Sequence, residues 1–248
     1  MTYSIRFQAI LLAVMLAGPA MAQDGRTGFS FGGLAAVSSN PYIGDDGDVT
    51  FVPMIRYQGD GFSVGTDGVA VTVYDNGNSQ LEAILTPRFS ALDGADAPEL
   101  AGIDRDLTVD AGLRYTLALG DRSDLRATLL QEVTGEHDGQ ELDVRITQSV
   151  DTGRVPLSLH AGATWRSDDL SAYMFGVRPN EATPGRSAYA PGATLSPYIG
   201  ATATMPLGDS LALFGTVQAE YFGSAITNSP IVADRSAVSA AVGLQFAF

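Results

Sequence analysis

The chain contains no cysteine, so disulfides and thiolate chemistry are excluded and packing and hydrogen bonding must hold the fold. It also has no apolar run, beyond its first 22 residues, that approaches the length of a spanning helix. Any insertion into a bilayer must therefore be by strands. Basic side chains are few: 14 Lys and Arg stand against 28 Asp and Glu, for a net charge of −14. This balance gives no electrostatic case for nucleic acid as a partner, and anionic headgroups would repel it unless cations intervene. Long helical periods are missing too, while Gly, Ala, Thr and Ser are abundant, which points to strands.

The first residues read as an export signal. Arg6 is followed by an apolar run through Ile10, Leu11, Leu12, Val14 and Leu16, and then by Ala20-Met21-Ala22, a small-x-small cleavage site. The run is too short to anchor the chain in a bilayer. Residues 1–22 are thus expected to be a signal peptide and residues 23–248 one β-barrel domain. Loss of Arg6 takes the net charge from −14 to −15.

Strand periodicity fills the mature part. In the last thirteen residues Val238, Ala240, Val242, Leu244, Phe246 and Phe248 share one face, and Ser239, Ala241, Gly243 and Gln245 the other. The clearest alternation runs from Asp106 to Leu119, with Leu107, Val109, Ala111, Leu113, Tyr115, Leu117 and Leu119 on the apolar face. Segments of about ten residues fit a tilted transmembrane strand, whereas strands of soluble sandwiches are about half as long. Pro53, inside one segment, is tolerable only near an edge or bulge.

Eleven segments emerge at first, separated by alternating short and long connections. An odd number would leave the termini on opposite sides, whereas both should be periplasmic. The apolar phase flips from Phe62 and Val64 to Val69, Val71 and Val73 across Thr66-Asp67-Gly68. A tight turn there restores an even count. The competing arrangement is a bulge plus a further strand between Ala172 and Val177. The expected fold is an all-β, antiparallel, up-and-down transmembrane barrel of about twelve strands, ten being the alternative, with short periplasmic turns and longer extracellular loops.

Several segments carry a resemblance. Asp45 to Tyr57, Gly59-Asp60-Gly61, Gly102 to Val109, Tyr173-Met174-Phe175-Gly176-Val177 and Asn228-Ser229-Pro230-Ile231-Val232 are similar to the MipA/OmpV family of outer-membrane proteins. The resemblance implies a small barrel in the outer membrane, in contact with outer-membrane lipid and lipopolysaccharide. One member of that family is described as a scaffold joining a murein lytic transglycosylase to a murein synthase, others as osmotically responsive proteins or adhesins; the expected role is a non-enzymatic scaffold or surface interaction protein, with no cofactor. Phe246 and Phe248 resemble the C-terminal aromatic signal read by the barrel assembly machinery.

The polar strand faces carry Arg56, Glu82, Arg88, Asp106, Asp110, Arg114, Arg126, Glu132, Asp143, Arg145 and His160. In a barrel these are expected to line the lumen, where charges of both signs pair and fill the interior. The alternative is a narrow channel for ions or small solutes, lined by the arginines. His137 and His160 are the only histidines, so base-assisted nucleophilic catalysis would need one of them or a carboxylate. His137, beside Glu136 and Asp138, reads as a solvated loop residue rather than a catalytic one. Asp45-Asp46-Gly47-Asp48 lacks EF-hand spacing and reads as loop; Asp104 and Arg105 are read as a loop ion pair. No metal or catalytic site is expected. The aromatics Tyr57, Tyr74, Tyr115, Trp165, Tyr198, Tyr221 and Phe248 fit interfacial girdles.

Overall fold

The structure, a computed structural model, describes residues 27–44, 49–90, 92, 97–153 and 155–248. The expected signal peptide with Ala20 and Ala22, and the acidic stretch Asp45 to Asp48, lie outside the described residues. Twelve antiparallel strands close into a barrel. They are β1 (Gly28–Ser38), β2 (Val49–Gln58), β3 (Phe62–Gly65), β4 (Gly68–Asp75), β5 (Ser79–Arg88), β6 (Thr108–Ala118), β7 (Ser123–Glu132), β8 (Gln140–Val150), β9 (Leu157–Arg166), β10 (Thr194–Pro206), β11 (Leu211–Tyr221) and β12 (Ser236–Ala247). Each strand pairs with its sequence neighbours, and β12 closes on β1 from Ser30 opposite Ala247 to Ser38 opposite Ser239.

The alternation seen in the sequence places Phe29, Phe31, Phe51, Ile55, Leu113, Leu129, Val144, Ile199, Val217, Val242 and Leu244 on the outer surface, all exposed. A contiguous apolar belt of this size is far beyond what a water-soluble monomer displays. It is the lipid face of a membrane barrel.

The even count comes from the tight turn at Thr66 and Asp67. It leaves β3 and β4 short: β3 pairs with β2 only from Arg56 to Gln58, and β4 with β5 only as far as Val69 opposite Leu85. Among the described residues, Val49 to Met54 of β2 and Thr86 to Arg88 of β5 thus have a partner strand on one side only. The wall is notched in its extracellular half. The turn forms the floor: Thr66 N–H donates to Ile55 O at 2.9 Å, Thr86 Oγ1 to Asp67 O at 3.1 Å, and Arg56 pairs with Asp67. Because Ile55 turns its backbone toward the notch, so does Pro53 two residues away, where its missing N–H leaves one fewer unpaired donor. Gly68 has φ +120°, and a Cβ there would collide with Leu85 O. Gly68→Ala is expected to cost about 2–4 kcal/mol and to reduce the heat-modifiable, folded band on gels; unchanged folding yield would remove this role for Gly68.

The further strand between Ala172 and Val177 is not formed. Asp168–Phe175 is instead a helix, α1, capped by Ser167, whose Oγ accepts from Leu170 N–H at 3.3 Å. Asp168 and Asp169 occupy its first turn, where the helix dipole favours negative charge. A shorter helix, α2, spans Ser224–Thr227.

The main apolar core lies outside the wall, over the extracellular mouth. Tyr42, Leu92, Ala97, Leu100, Ile103, Phe175, Val177, Phe222, Ile226, Ile231 and Ala237 pack into one cluster. Four long loops meet there and make a lid. A second cluster of Leu34, Ala36, Phe214 and Ala241, with Val52 and Met54 against it, faces the lumen.

Candidate functional site

The lumen is built by the inward positions of the strands, which divide into two kinds of wall. On β5 to β9 they carry Glu82, Arg88, Asp110, Arg114, Asp124, Arg126, Glu132, Glu141, Asp143, Arg145, His160 and Arg166. On β11, β12, β1 and β2 the central inward positions are the apolar cluster of Leu34, Ala36, Val52, Met54, Phe214 and Ala241. All 14 basic residues of the chain are arginine. Each can therefore present a planar fork of donors.

Near the extracellular rim the charges form a belt. Arg88 donates to Asp110 at 2.7 Å and to Glu141 at 3.1 Å; Arg166 lies 3.6 Å from Glu141 and donates to Glu220 at 2.9 Å. All five side chains are buried. Because Asp110 is on β6, Arg88 on β5, Glu141 on β8, Arg166 on β9 and Glu220 on β11, the belt reaches across the mouth below the loop lid.

The lid is fastened by Arg105. This side chain is wholly buried and pairs with Glu181, with Nη1 to Oε1 at 2.6 Å and Nη2 to Oε2 at 3.0 Å. It also donates to the backbone carbonyls of Tyr173, Asp104 and Gly176. The loop pairing expected between Asp104 and Arg105 is not made: only the Asp104 carbonyl is used, and the carboxylate partner comes from 76 residues further along. Burial alone would raise the Glu181 pKa, but hydrogen bonds from Arg105 and from Arg178 N–H outweigh it and hold the carboxyl below its usual range. Arg186 donates to the carbonyls of Glu181, Glu99 and Ala101, tying two loops together.

Toward the periplasmic half, Arg126 on β7 stands directly opposite Arg145 on β8, with Arg114 within electrostatic reach. Arg114 is 3.5 Å from Glu82, and Arg145 Nε donates to Tyr198 Oη at 3.1 Å. Among the described residues, buried Arg126 Nε has no hydrogen-bond partner, nor has Asp124 Oδ1. Asp143 accepts from Tyr198 Oη at 2.7 Å and Thr164 Oγ1 at 3.1 Å.

The remaining candidates sort by contact. His160 Nε2 is 3.2 Å from Gln218 Oε1 inside the lumen. Glu132 accepts from the N–H groups of Thr134, Gly135, His137 and Asp138 and so shapes the β7–β8 loop. Asp106 is exposed in the loop before β6, not on the wall; its carbonyl accepts from Tyr173 Oη at 2.7 Å. His137 is packed rather than solvated, its ring 4.4 Å from that of Tyr173 and its Nδ1 accepting Gly139 N–H at 3.0 Å. Burial lowers its pKa, and burial followed by the nearby Asp106 and Glu136 charges pushes Tyr173 up to about 12. Among the described residues neither imidazole hydrogen-bonds a carboxylate. Tyr198 leaves the expected girdle: it is buried in the lumen. Phe248 is exposed at the periplasmic rim, its N–H donating to Phe29 O at 3.0 Å and its ring 4.8 Å from Phe246.

Glu141, Arg166 and Glu220 escaped the sequence reading. Each is two residues from a polar position on the same strand face: Asp143, Thr164 and Gln218 respectively. Extending the period-2 reading by one repeat toward the rim finds all three.

The family model described as "MltA-interacting protein MipA" matches residues 31–248. Outer membrane protein OmpV of Vibrio cholerae is 31% identical over 77% of this chain and 76% of its own length. The MltA-interacting protein of Escherichia coli K12 is 28% identical over 93% of this chain and 94% of its own. Among solved structures, NanC porin superposes with a TM-score of 0.49 at 6% identity, over 87% of this chain and 98% of that one.

Proposed function

Since the chain belongs to the MltA-interacting protein family and is an outer-membrane β-barrel, we propose that it is a non-catalytic envelope scaffold, docking murein enzymes at its periplasmic rim. The E. coli relative is named for such an interaction. The observation that carries a platform over a pore is the extracellular mouth, crossed by the buried belt from Asp110 to Glu220 and covered by the apolar loop lid. A narrow channel would need both layers open.

The periplasmic rim offers the docking surface. Each of its five turns, β2–β3, β4–β5, β6–β7, β8–β9 and β10–β11, carries or adjoins an aspartate, Asp60, Asp75, Asp121, Asp151 and Asp209, and two of them also carry an arginine, Arg122 and Arg154. A rim of this net negative charge favours a partner with a basic face and speeds its approach. The mature protein in detergent is expected to retain a murein lytic transglycosylase and a murein synthase in pull-downs. Raising salt from 0.05 to about 0.5 M should weaken the retention several-fold through screening. Planar bilayers should show no stable single-channel steps. Steady conductance together with failed pull-downs would move the assignment to the channel.

A further inference from the structure

The glycines of the strands separate by what an added side chain would meet. At Gly32, Gly112 and Gly243 a Cβ would collide with a backbone carbonyl or with the Phe214 ring, so the packing of the wall demands glycine there. Gly33 is different: it is exposed on the lipid face, and a Cβ would come no nearer than 3.6 Å to Val52 O. Glycine inside a strand weakens it, and no contact within the described wall requires one at this position.

What Gly33 leaves is a hollow. With Ala35 and Val242 it floors a groove of about 540 Å³ on the outer face of β2, β1, β12 and β11, between Phe51 on one side and Leu213 and Leu244 on the other. Phe51 projects at its edge, 75% exposed. Its register partner is Ala35, so the projecting ring and the hollow lie at nearly one depth in the bilayer.

A knob and a hole side by side at one depth are what a two-fold axis along the membrane normal needs. Two copies in one membrane share an orientation, and such an axis sets equal depths against each other, so that each Phe51 enters the other groove and the assembly closes at two. In hydrocarbon the gain comes from packing rather than from exclusion of water, and small residues let the surfaces approach. An acyl chain would have to give up its freedom to lie in the hollow, whereas a ring carried on a strand is already held. The surrounding face is large enough. Phe29, Phe31 and Phe51, each exposed by half or more, together offer roughly 350 Å² on the usual aromatic areas. Val37, Val49, Ile55, Val242 and Leu244, also exposed, bring the face to the standard interface size of about 800 Å² per partner. Every outward position of β1, β2 and β12 is uncharged, so pairing buries no ion.

We propose that two copies of the chain pair in the outer membrane through this face, with Phe51 of each seated in the groove over Gly33 and Ala35 of the other. The periplasmic turns stay free for the docking described above.

Because the chain has no cysteine, the contact can be read by disulfide trapping in outer membranes of cells producing two differently tagged variants, Phe51→Cys and Ala35→Cys. One Phe51 ring still holds the mixed pair together. A heterodisulfide is expected, at least tenfold above that formed between Ala35→Cys and Val144→Cys on the far wall. Native mass spectrometry of the mature parent in maltoside should give two chains per particle. Phe51→Ala and Gly33→Leu should each raise the dissociation constant at least tenfold, with the heat-modifiable gel shift confirming a folded barrel, and Val144→Leu should leave it unchanged. A heterodisulfide no stronger than the control, one chain per particle with or without a retained lipid, a third chain, or an unaltered dimer in folded Gly33→Leu would each overturn the proposal.

Discussion

Arg105→Ala is expected to release the extracellular lid while leaving the barrel closed. The substitution removes a guanidinium with hydrogen bonds to Glu181 and to three carbonyls, and leaves the Glu181 carboxylate buried and uncompensated. Breaking a buried pair from one side costs about 3–5 kcal/mol, comparable with the whole stability of a small packed unit. The measurement is limited proteolysis of intact cells or proteoliposomes: cleavage should appear in the loop 167–193 of the variant and not in the parent, with the barrel core still protected. Arg105→Lys should rescue only partly, because an ammonium cannot reproduce the two parallel bonds. Glu181 adds a pH dependence. Its carboxyl in the folded lid sits below its usual value, so its contribution is complete above the ordinary carboxylate range and is lost as pH falls through that lowered pKa. Lid cleavage in the parent should therefore rise only on acidification below about pH 4. An uncleaved Arg105→Ala loop would show that the apolar cluster holds the lid unaided.

Arg88→Met should be the most damaging single change in the wall. Asp110 is 2% exposed and Glu141 7%, and each loses its shortest cationic contact. A cost of about 3–5 kcal/mol is expected, lowering the temperature at which the heat-modifiable band converts by on the order of 10 °C. The informative companion is the triple variant Arg88→Met, Asp110→Asn, Glu141→Gln, which removes the stranded charges. It should recover most of the loss, since buried ion pairs replaced as a unit are often neutral. If the triple variant is no more stable than Arg88→Met, the defect lies in packing and not in charge.

The wall was legible in the sequence because a lipid-facing strand must alternate, and the flip of phase from Val64 to Val69 marked the turn that a count of apolar segments missed. Pro53 was legible as an edge residue, although not as the border of an opening. The lid was not legible. Its core residues, such as Leu92, Leu100, Phe175 and Ile231, follow no period because they belong to loops, and nothing local links Arg105 to Glu181. One part of it did carry a signal: Ser167-Asp168-Asp169 is an N-cap followed by an acidic first turn, which identifies α1. In the lumen, the side of the wall that each charge occupies follows from parity. Which charge meets which does not, since Arg88 on β5 reaches Glu141 three strands away, and such contacts depend on barrel curvature.

The shared core of the lid bears on how the cell surface is seen from outside. Residues from four loops, including Tyr42, Ile103, Phe175 and Ile231, converge in one cluster. The antigenic face is then a single discontinuous epitope whose parts are far apart in the chain. Antisera raised against isolated loop peptides should bind the denatured protein better than living bacteria, and a vaccine drawn from this surface would need the whole barrel as its carrier.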